Sequence, residues 1–237
     1  MTSALDALRV EVAEANAAID RAGLVTLSFG NVSGVERDAG VLVIKPSGAP
    51  YATLRPDDLV VVSLADGHVV EGDQRPSVDT PTHRVLYAAF REVGGVVHTH
   101  SPYASAWAQA GRPIPCFGTT HADFFRGEVP VTRALRPEEL GEAYEEDTGR
   151  VIVETLKLAA RSAIESPAVL VASHGPFVWG RSVMAAVEAA IALEAIAAMA
   201  FRTLVIEGST SEIGGELLAR HFDRKHGAGA YYGQPRR

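Results

Sequence analysis

Leu5, Leu8, Val12, Ala15 and Ile19 recur at intervals of three and four, the spacing of one apolar face of a helix. Ser3 is placed to cap the start of that helix, and Gly23 to end it in a left-handed conformation. Short β-branched runs follow at Val41 to Lys45, Leu59 to Leu64 and His68 to Glu71, each bounded by turn-forming residues. Asp66-Gly67 between the last two is a hairpin signal. Thr80-Pro81 opens a helix that reaches Phe90, Val96 to Thr99 reads as a strand, and Ser101-Pro102 opens another helix. A helical stretch beginning at Pro137 runs on through Val151 to Arg161, and Val169 to Ala172 is a strand. Ser182 caps a long, alanine-rich helix. Ser209 to Ser211 separates a last helix, ending near Lys225, from a glycine-containing tail, Gly227 to Arg237. No repeat or linker divides residues 1–237, so the pattern predicts a single α/β domain. Early hairpins with helices throughout predict three αβα layers around a mixed, largely antiparallel sheet.

At 237 residues, 47% hydrophobic and 22% charged, the chain can bury one substantial core. The longest apolar stretch, Ala185 to Ile206, is interrupted by Glu188, Glu194 and Arg202, which predicts a buried helix and no membrane partner. Cys116 is the lone cysteine and cannot form an intramolecular disulfide, and the first residues lack a basic region followed by an apolar core. Both features lead us to expect a reducing cytoplasm. A formal net charge of −7 leaves no basic stripe for nucleic acid. It leaves room for one small anion, because a lysine and a metal cation can dominate the potential inside a cleft.

His98-Thr99-His100 is the sharpest chemical signal. On a strand, residues two apart share a face, so both imidazoles project together while Thr99 points away. Such a pair also occurs as an ordinary half-buried strand end. His174, just past a predicted strand, and Asp79, in a loop leading into a helix, supply further donors. Three histidines and a carboxylate without thiolates suit a catalytic divalent ion such as zinc. Ser28 to Ser33, Lys45-Pro46-Ser47-Gly48 and Ser77 form turn-prone clusters rich in N–H and hydroxyl donors, the chemistry of a phosphate cradle. Each of them alone would read as a turn.

Seven segments in order carry a resemblance: Gly30-Asn31-Val32-Ser33, Lys45-Pro46-Ser47-Gly48, Asp79-Thr80-Pro81-Thr82-His83, His98-Thr99-His100-Ser101, Gly118-Thr119-Thr120-His121-Ala122-Asp123, Ser173-His174-Gly175-Pro176 and Tyr231-Tyr232-Gly233-Gln234. They resemble the L-ribulose-5-phosphate 4-epimerases of the class II aldolase and epimerase family. The resemblance implies a class II aldolase-like fold and a zinc-dependent isomerase, with manganese or cobalt as alternative ions. It implies that Asp79, His98, His100 and His174 hold the metal, and that Asn31, Lys45, Ser47, Gly48, Ser77 and Val78 bind the phosphate of a sugar phosphate. Val78 departs from the family pattern, which has a second serine there. Asp123 and Tyr232 match an acid/base pair and His221 an accessory residue, supplied in the family by a neighbouring subunit of a C4 homotetramer, the tail 227–237 included. The rival readings are an aldolase or dehydratase acting on another sugar phosphate, whose pattern has glutamate at the Asp79 position, and a non-catalytic module like the adducin head.

Overall fold

The structure, a computed structural model, describes residues 4–232. Ser3 and the tail beyond Tyr232, including Gly233 and Gln234, lie outside the described residues. Helix α1 spans Ala4–Arg21 and ends at Gly23, whose φ of +70° lets Leu24 N–H reach back to the Ile19 carbonyl at 3.0 Å. Strands β1 (Asn31–Glu36), β2 (Val41–Ile44), β3 (Val60–Ser63) and β4 (Val69–Glu71) come next, with a turn at Asp66-Gly67 closing the β3–β4 hairpin. Helix α2 (Thr80–Ala89), β5 (Gly95–His98), α3 (Pro102–Gln109) and the single-turn α4 (Thr119–Ala122) follow. Then come α5 (Tyr144–Leu158), β6 (Ala168–Leu170), β7 (Pro176–Gly180), α6 (Val183–Glu207) and α7 (Gly215–His226).

The seven strands form one sheet in the order β4-β3-β2-β1-β5-β7-β6, and every ladder is antiparallel. The parallel element is an isolated bridge between Val131 and Leu170. Alternation along the strands sorts the apolar side chains into two cores. Val32, Val43, Val61, Val97 and Val178 pack with α1, α3 and α6 on one face. Leu42, Ile44, Val60, Val62 and Val96 pack with α2 and α5 on the other. These are the three expected layers.

Helix α6 starts where expected, with Ser182 Oγ accepting from Ala185 N–H at 3.2 Å. It is the one described helix long and apolar enough to cross a membrane, yet Val183, Ala186, Ala190, Leu193, Ile196 and Ala197 belong to the core of the sheet. Two expectations need correction. The stretch after Pro137 is not continuous: a 3-10 turn, Pro137–Leu140, stops before Gly141, and α5 starts afresh at Tyr144. The cluster from Ser28 is a turn only as far as Gly30, since Asn31 to Ser33 are strand. β7 and α4 carry no alternation or period long enough to predict.

Candidate functional site

The centre of the sheet builds the site. β1 and β5 pair so that Asn31 sits opposite His98, and β5 and β7 pair so that His98 sits opposite Phe177. Gly30 makes this approach feasible: with φ +86°, a Cβ there would lie 2.7 Å from the His98 carbonyl. The His98 ring stacks on Phe177 at 4.1 Å between centroids and 12° between planes. Its Nδ1 lies 3.0 Å from the Pro176 carbonyl, a pure acceptor, so Nδ1 donates there and the ring turns Nε2 toward the cluster. That Nε2 is 3.1 Å from His100 Nε2.

His174 completes the cluster from the loop after β6. Ser173, a non-glycine residue at φ +61°, turns the chain, and Val171 N–H bonds to Gly175 O at 2.9 Å across the turn. A left-handed serine costs on the order of 1–3 kcal/mol, a strain that recurs at functional sites. One potential ligand atom from each of His98, His100 and His174 lies within 4.8 Å of the others. Burial, and then the neighbouring imidazoles, push His174 down to about 4, and burial and His98 lower His100. Both are therefore neutral at pH 7, the state that binds a cation. Three clustered imidazoles, one of them with a buried and unpartnered Nδ1 (His174), fit a divalent ion of borderline softness.

Asp79 stands beside this triple but outside it. Its Oδ2 accepts from Asn31 Nδ2 at 2.7 Å and faces Ser77 Oγ at 3.4 Å. Burial pushes its carboxyl up, but His98, His83 and the Asn31 hydrogen bond outweigh that and hold it below the usual range. Lys45 follows β2 directly and is almost fully buried, its Nζ 3.3 Å from the Ser28 carbonyl and 4.7 Å from the Tyr51 ring centroid. Burial pushes this amine down to about 8, with Asp79 opposing the shift. A buried lysine bonded only to a neutral carbonyl is primed for an anion. The two expected phosphate loops are laced together, Ser47 N–H to Arg75 O at 2.9 Å and Ser77 N–H to Lys45 O at 3.0 Å, just before α2. The N-terminus of that helix adds a positive dipole end.

All ten residues expected to bind metal or phosphate line one cleft of about 400 Å³. Phe29, from the expected Ser28–Ser33 cluster, lines it too, as do Tyr144 and Glu145, which the sequence reading missed. Tyr144 is stacked 6.5 Å from His174, and the signal that places it there is Gly141, which ends one helical segment and lets another begin facing the cleft. Tyr51 was also missed, although its hydroxyl fixes the entry to β1 through the Phe29 and Gly30 carbonyls at 3.0 and 2.7 Å.

Asp123, His221 and Tyr232 form a second cluster that does not line the cleft. Asp123, at the end of α4, accepts from His221 Nδ1 at 3.0 Å and from Arg224 at 3.0 and 2.7 Å. Burial pushes its carboxyl up, but Arg224 and His221 more than reverse this and keep it ionised. The Arg224 guanidinium lies 4.7 Å from the centre of the Tyr232 ring, and Tyr232 N–H bonds to the Arg224 carbonyl at 3.0 Å. Arg224 thus joins the three expected residues, and the sequence reading did not single it out.

Residues 10–201 match the model of the Class II Aldolase and Adducin N-terminal domain family. The chain belongs to this family. Over 227 residues it is 50% identical to the L-ribulose-5-phosphate 4-epimerase UlaF of Salmonella paratyphi C (strain RKS4594), covering 96% of this chain and 98% of that one. An L-fuculose 1-phosphate aldolase superposes with a TM-score of 0.77 at 20% identity, over 94% of this chain and 97% of the other. YgbL of Klebsiella pneumoniae, described as a putative aldolase/epimerase/decarboxylase, does so with a TM-score of 0.72 at 29% identity, over 92% and 99%. The class II aldolase fold expected from the sequence is thereby established.

Proposed function

We propose that this protein interconverts L-ribulose 5-phosphate and D-xylulose 5-phosphate as a zinc-dependent cytoplasmic isomerase. The observation that carries the reading is one cleft lined both by a three-histidine cluster and by a buried lysine between two donor-rich loops. Those are the parts of a metal site and a phosphate site lining the same cleft. The half-identical epimerase relative supports the choice of substrate.

C4 of a ketopentose 5-phosphate is not adjacent to the carbonyl, so its hydrogen is too weakly acidic for direct removal. Breaking C3–C4 avoids that barrier. A base takes the C4 hydroxyl proton, the C3–C4 electron pair moves toward the carbonyl, and an enediolate and glycolaldehyde phosphate result. The aldehyde rotates, is attacked on its other face, and receives a proton from an acid on the opposite side. A divalent ion held by His98, His100 and His174, with Asp79 alongside, would stabilise the negative charge that develops on the substrate oxygens. Lys45, Asn31, Ser47, Gly48, Ser77 and the Val78 backbone hold the phosphate, which keeps the aldehyde fragment from leaving between the two steps.

Asp123 and Tyr232 act as the acid/base pair, with His221 and Arg224 orienting Asp123. They lie outside their own chain's cleft, which supports a neighbouring subunit of a C4 tetramer supplying them. An aldolase reading requires a mobile carboxylate at position 79, and the hydrogen bond from Asn31 together with the nearby Ser77 hydroxyl restrains this one. A non-catalytic module would have no need of three clustered imidazoles. The test is His98→Asn: it should fold, lose most bound zinc and lose most conversion of L-ribulose 5-phosphate in a coupled assay. Full zinc content with normal turnover would contradict the assignment.

A further inference from the structure

His83 lies on α2 one turn after Asp79, is fully buried, and has no part in the reaction just described. Its imidazole is held from one side. Nδ1 is 2.7 Å from Ser33 Oγ, which is itself 2.8 Å from the Tyr87 hydroxyl oxygen. The Tyr87 hydroxyl also donates to the Ser33 carbonyl at 3.0 Å, and a carbonyl can only accept. Counting protons then fixes the directions. The tyrosine proton is used on that carbonyl, the serine proton goes to the tyrosine oxygen, and the third contact needs His83 Nδ1–H as the donor to Ser33 Oγ. A neutral imidazole has one N–H, so Nε2 bears a lone pair.

Nε2 of His83 and Oδ1 of Asn31 are both buried and have no hydrogen-bond partner among the described residues. They belong to one corner of the fold. Asn31 and Ser33 share a face of β1, about 7 Å apart along the strand. Ser33 holds His83, while the Asn31 amide donates to Asp79 Oδ2 at 2.7 Å and Ser77 Oγ at 2.9 Å. Helical side chains lean toward the N-terminus, which carries the His83 ring toward Asp79 and Asn31. Two acceptors cannot bond to each other, and each left bare costs about 1–3 kcal/mol. A single water has the two O–H groups that such a pair of acceptors needs.

We propose that His83 is a positioning residue: through one buried water that donates to His83 Nε2 and to Asn31 Oδ1, it locks the Asn31 amide with its NH2 turned to Asp79 and Ser77. Asn31 then ties Asp79, beside the histidine cluster, to Ser77 of the phosphate loop from one fixed plane. The proposal rests on the reading of the cleft as a metal and phosphate site.

Two measurements test it. In 15N-histidine NMR spectra of the zinc-free protein, the His83 signals, identified by their loss in a variant, should report the Nδ1–H tautomer; the Nε2–H tautomer overturns the proposal. The second compares His83→Asn, which keeps a donor toward Ser33 but nothing at the Nε2 position, with His83→Gln, whose carbonyl reaches that position. His83→Asn should melt close to the wild type yet bind zinc about tenfold more weakly in chelator competition, the scale of outer ligand-shell losses. His83→Gln should recover most of that affinity even with a lower melting temperature. Unchanged zinc affinity in His83→Asn, or losses in both variants that simply track melting temperature, overturn the proposal while the metal site stands. Wild-type protein that binds no zinc would sink the proposed function and this inference together.

Discussion

Val78 stands in the loop laced to Lys45–Gly48, lines the cleft, and leaves 62% of its surface exposed there. Its backbone N–H can still serve a phosphate, but an apolar group replaces a hydroxyl donor. A hydrogen bond to a charged group contributes about 1.5–3 kcal/mol, so Val78→Ser should lower KM for the phosphorylated substrate by about tenfold. Steady-state kinetics would show it, and an unchanged or raised KM would mean that this loop serves another substrate group. At this scale the sequence was readable where local geometry decides the outcome. His98 and His100 declared themselves because strand alternation puts both on one face. His83 did not, since its role depends on Ser33 and Asn31, some fifty residues away, and a histidine on an apolar helix face reads as core.

Glu194 shows how one element holds another. Midway along α6, its carboxylate accepts from the Tyr103 and Ala104 N–H groups at 2.8 and 2.9 Å, serving the open amides at the start of α3 in place of a side-chain cap from Ser101. Glu194→Ala should destabilise the fold by about 1–3 kcal/mol in urea unfolding, with zinc affinity nearly unchanged, because α3 starts after His100. A loss below about 0.5 kcal/mol would mean that water replaces the carboxylate without cost. Elements with a full period were legible: α1, α2, α6 and the β3–β4 hairpin follow from spacing, caps and Asp66-Gly67. β7 was not, because Pro176 at its start reads as a breaker, and it pairs with β5 and β6 only in the assembled sheet. The restart at Tyr144 was hidden for a related reason: acidic residues run on both sides of the break, and Gly141 is the one local mark of it.

Within one chain, the cleft and the cluster of Asp123, His221, Arg224 and Tyr232 are separate, and the proposed reaction needs both. The sequence could place Asp123 and Tyr232 in the same function only through resemblance, since 108 positions divide them and neither sits in a local motif with a metal ligand. If neighbours in a closed ring supply them, Tyr232→Phe and His98→Asn proteins should each be nearly inactive, the first with zinc and the second without. Co-expressed assemblies shown by mass to contain both chains should regain a substantial part of wild-type turnover. Mixed assemblies as inactive as their parents would place Tyr232 within its own chain's site or outside catalysis altogether.

The central claim is that the epimer forms by breaking a carbon–carbon bond, and the fate of one hydrogen decides it. In the retro-aldol route the C4 hydrogen stays on the aldehyde fragment throughout, whereas deprotonation at C4 would exchange it with solvent. The zinc-loaded protein should therefore convert L-ribulose 5-phosphate to D-xylulose 5-phosphate in D2O with protium retained at C4, read by 1H NMR. Deuterium at C4 of the product, or no D-xylulose 5-phosphate at all, would contradict the account.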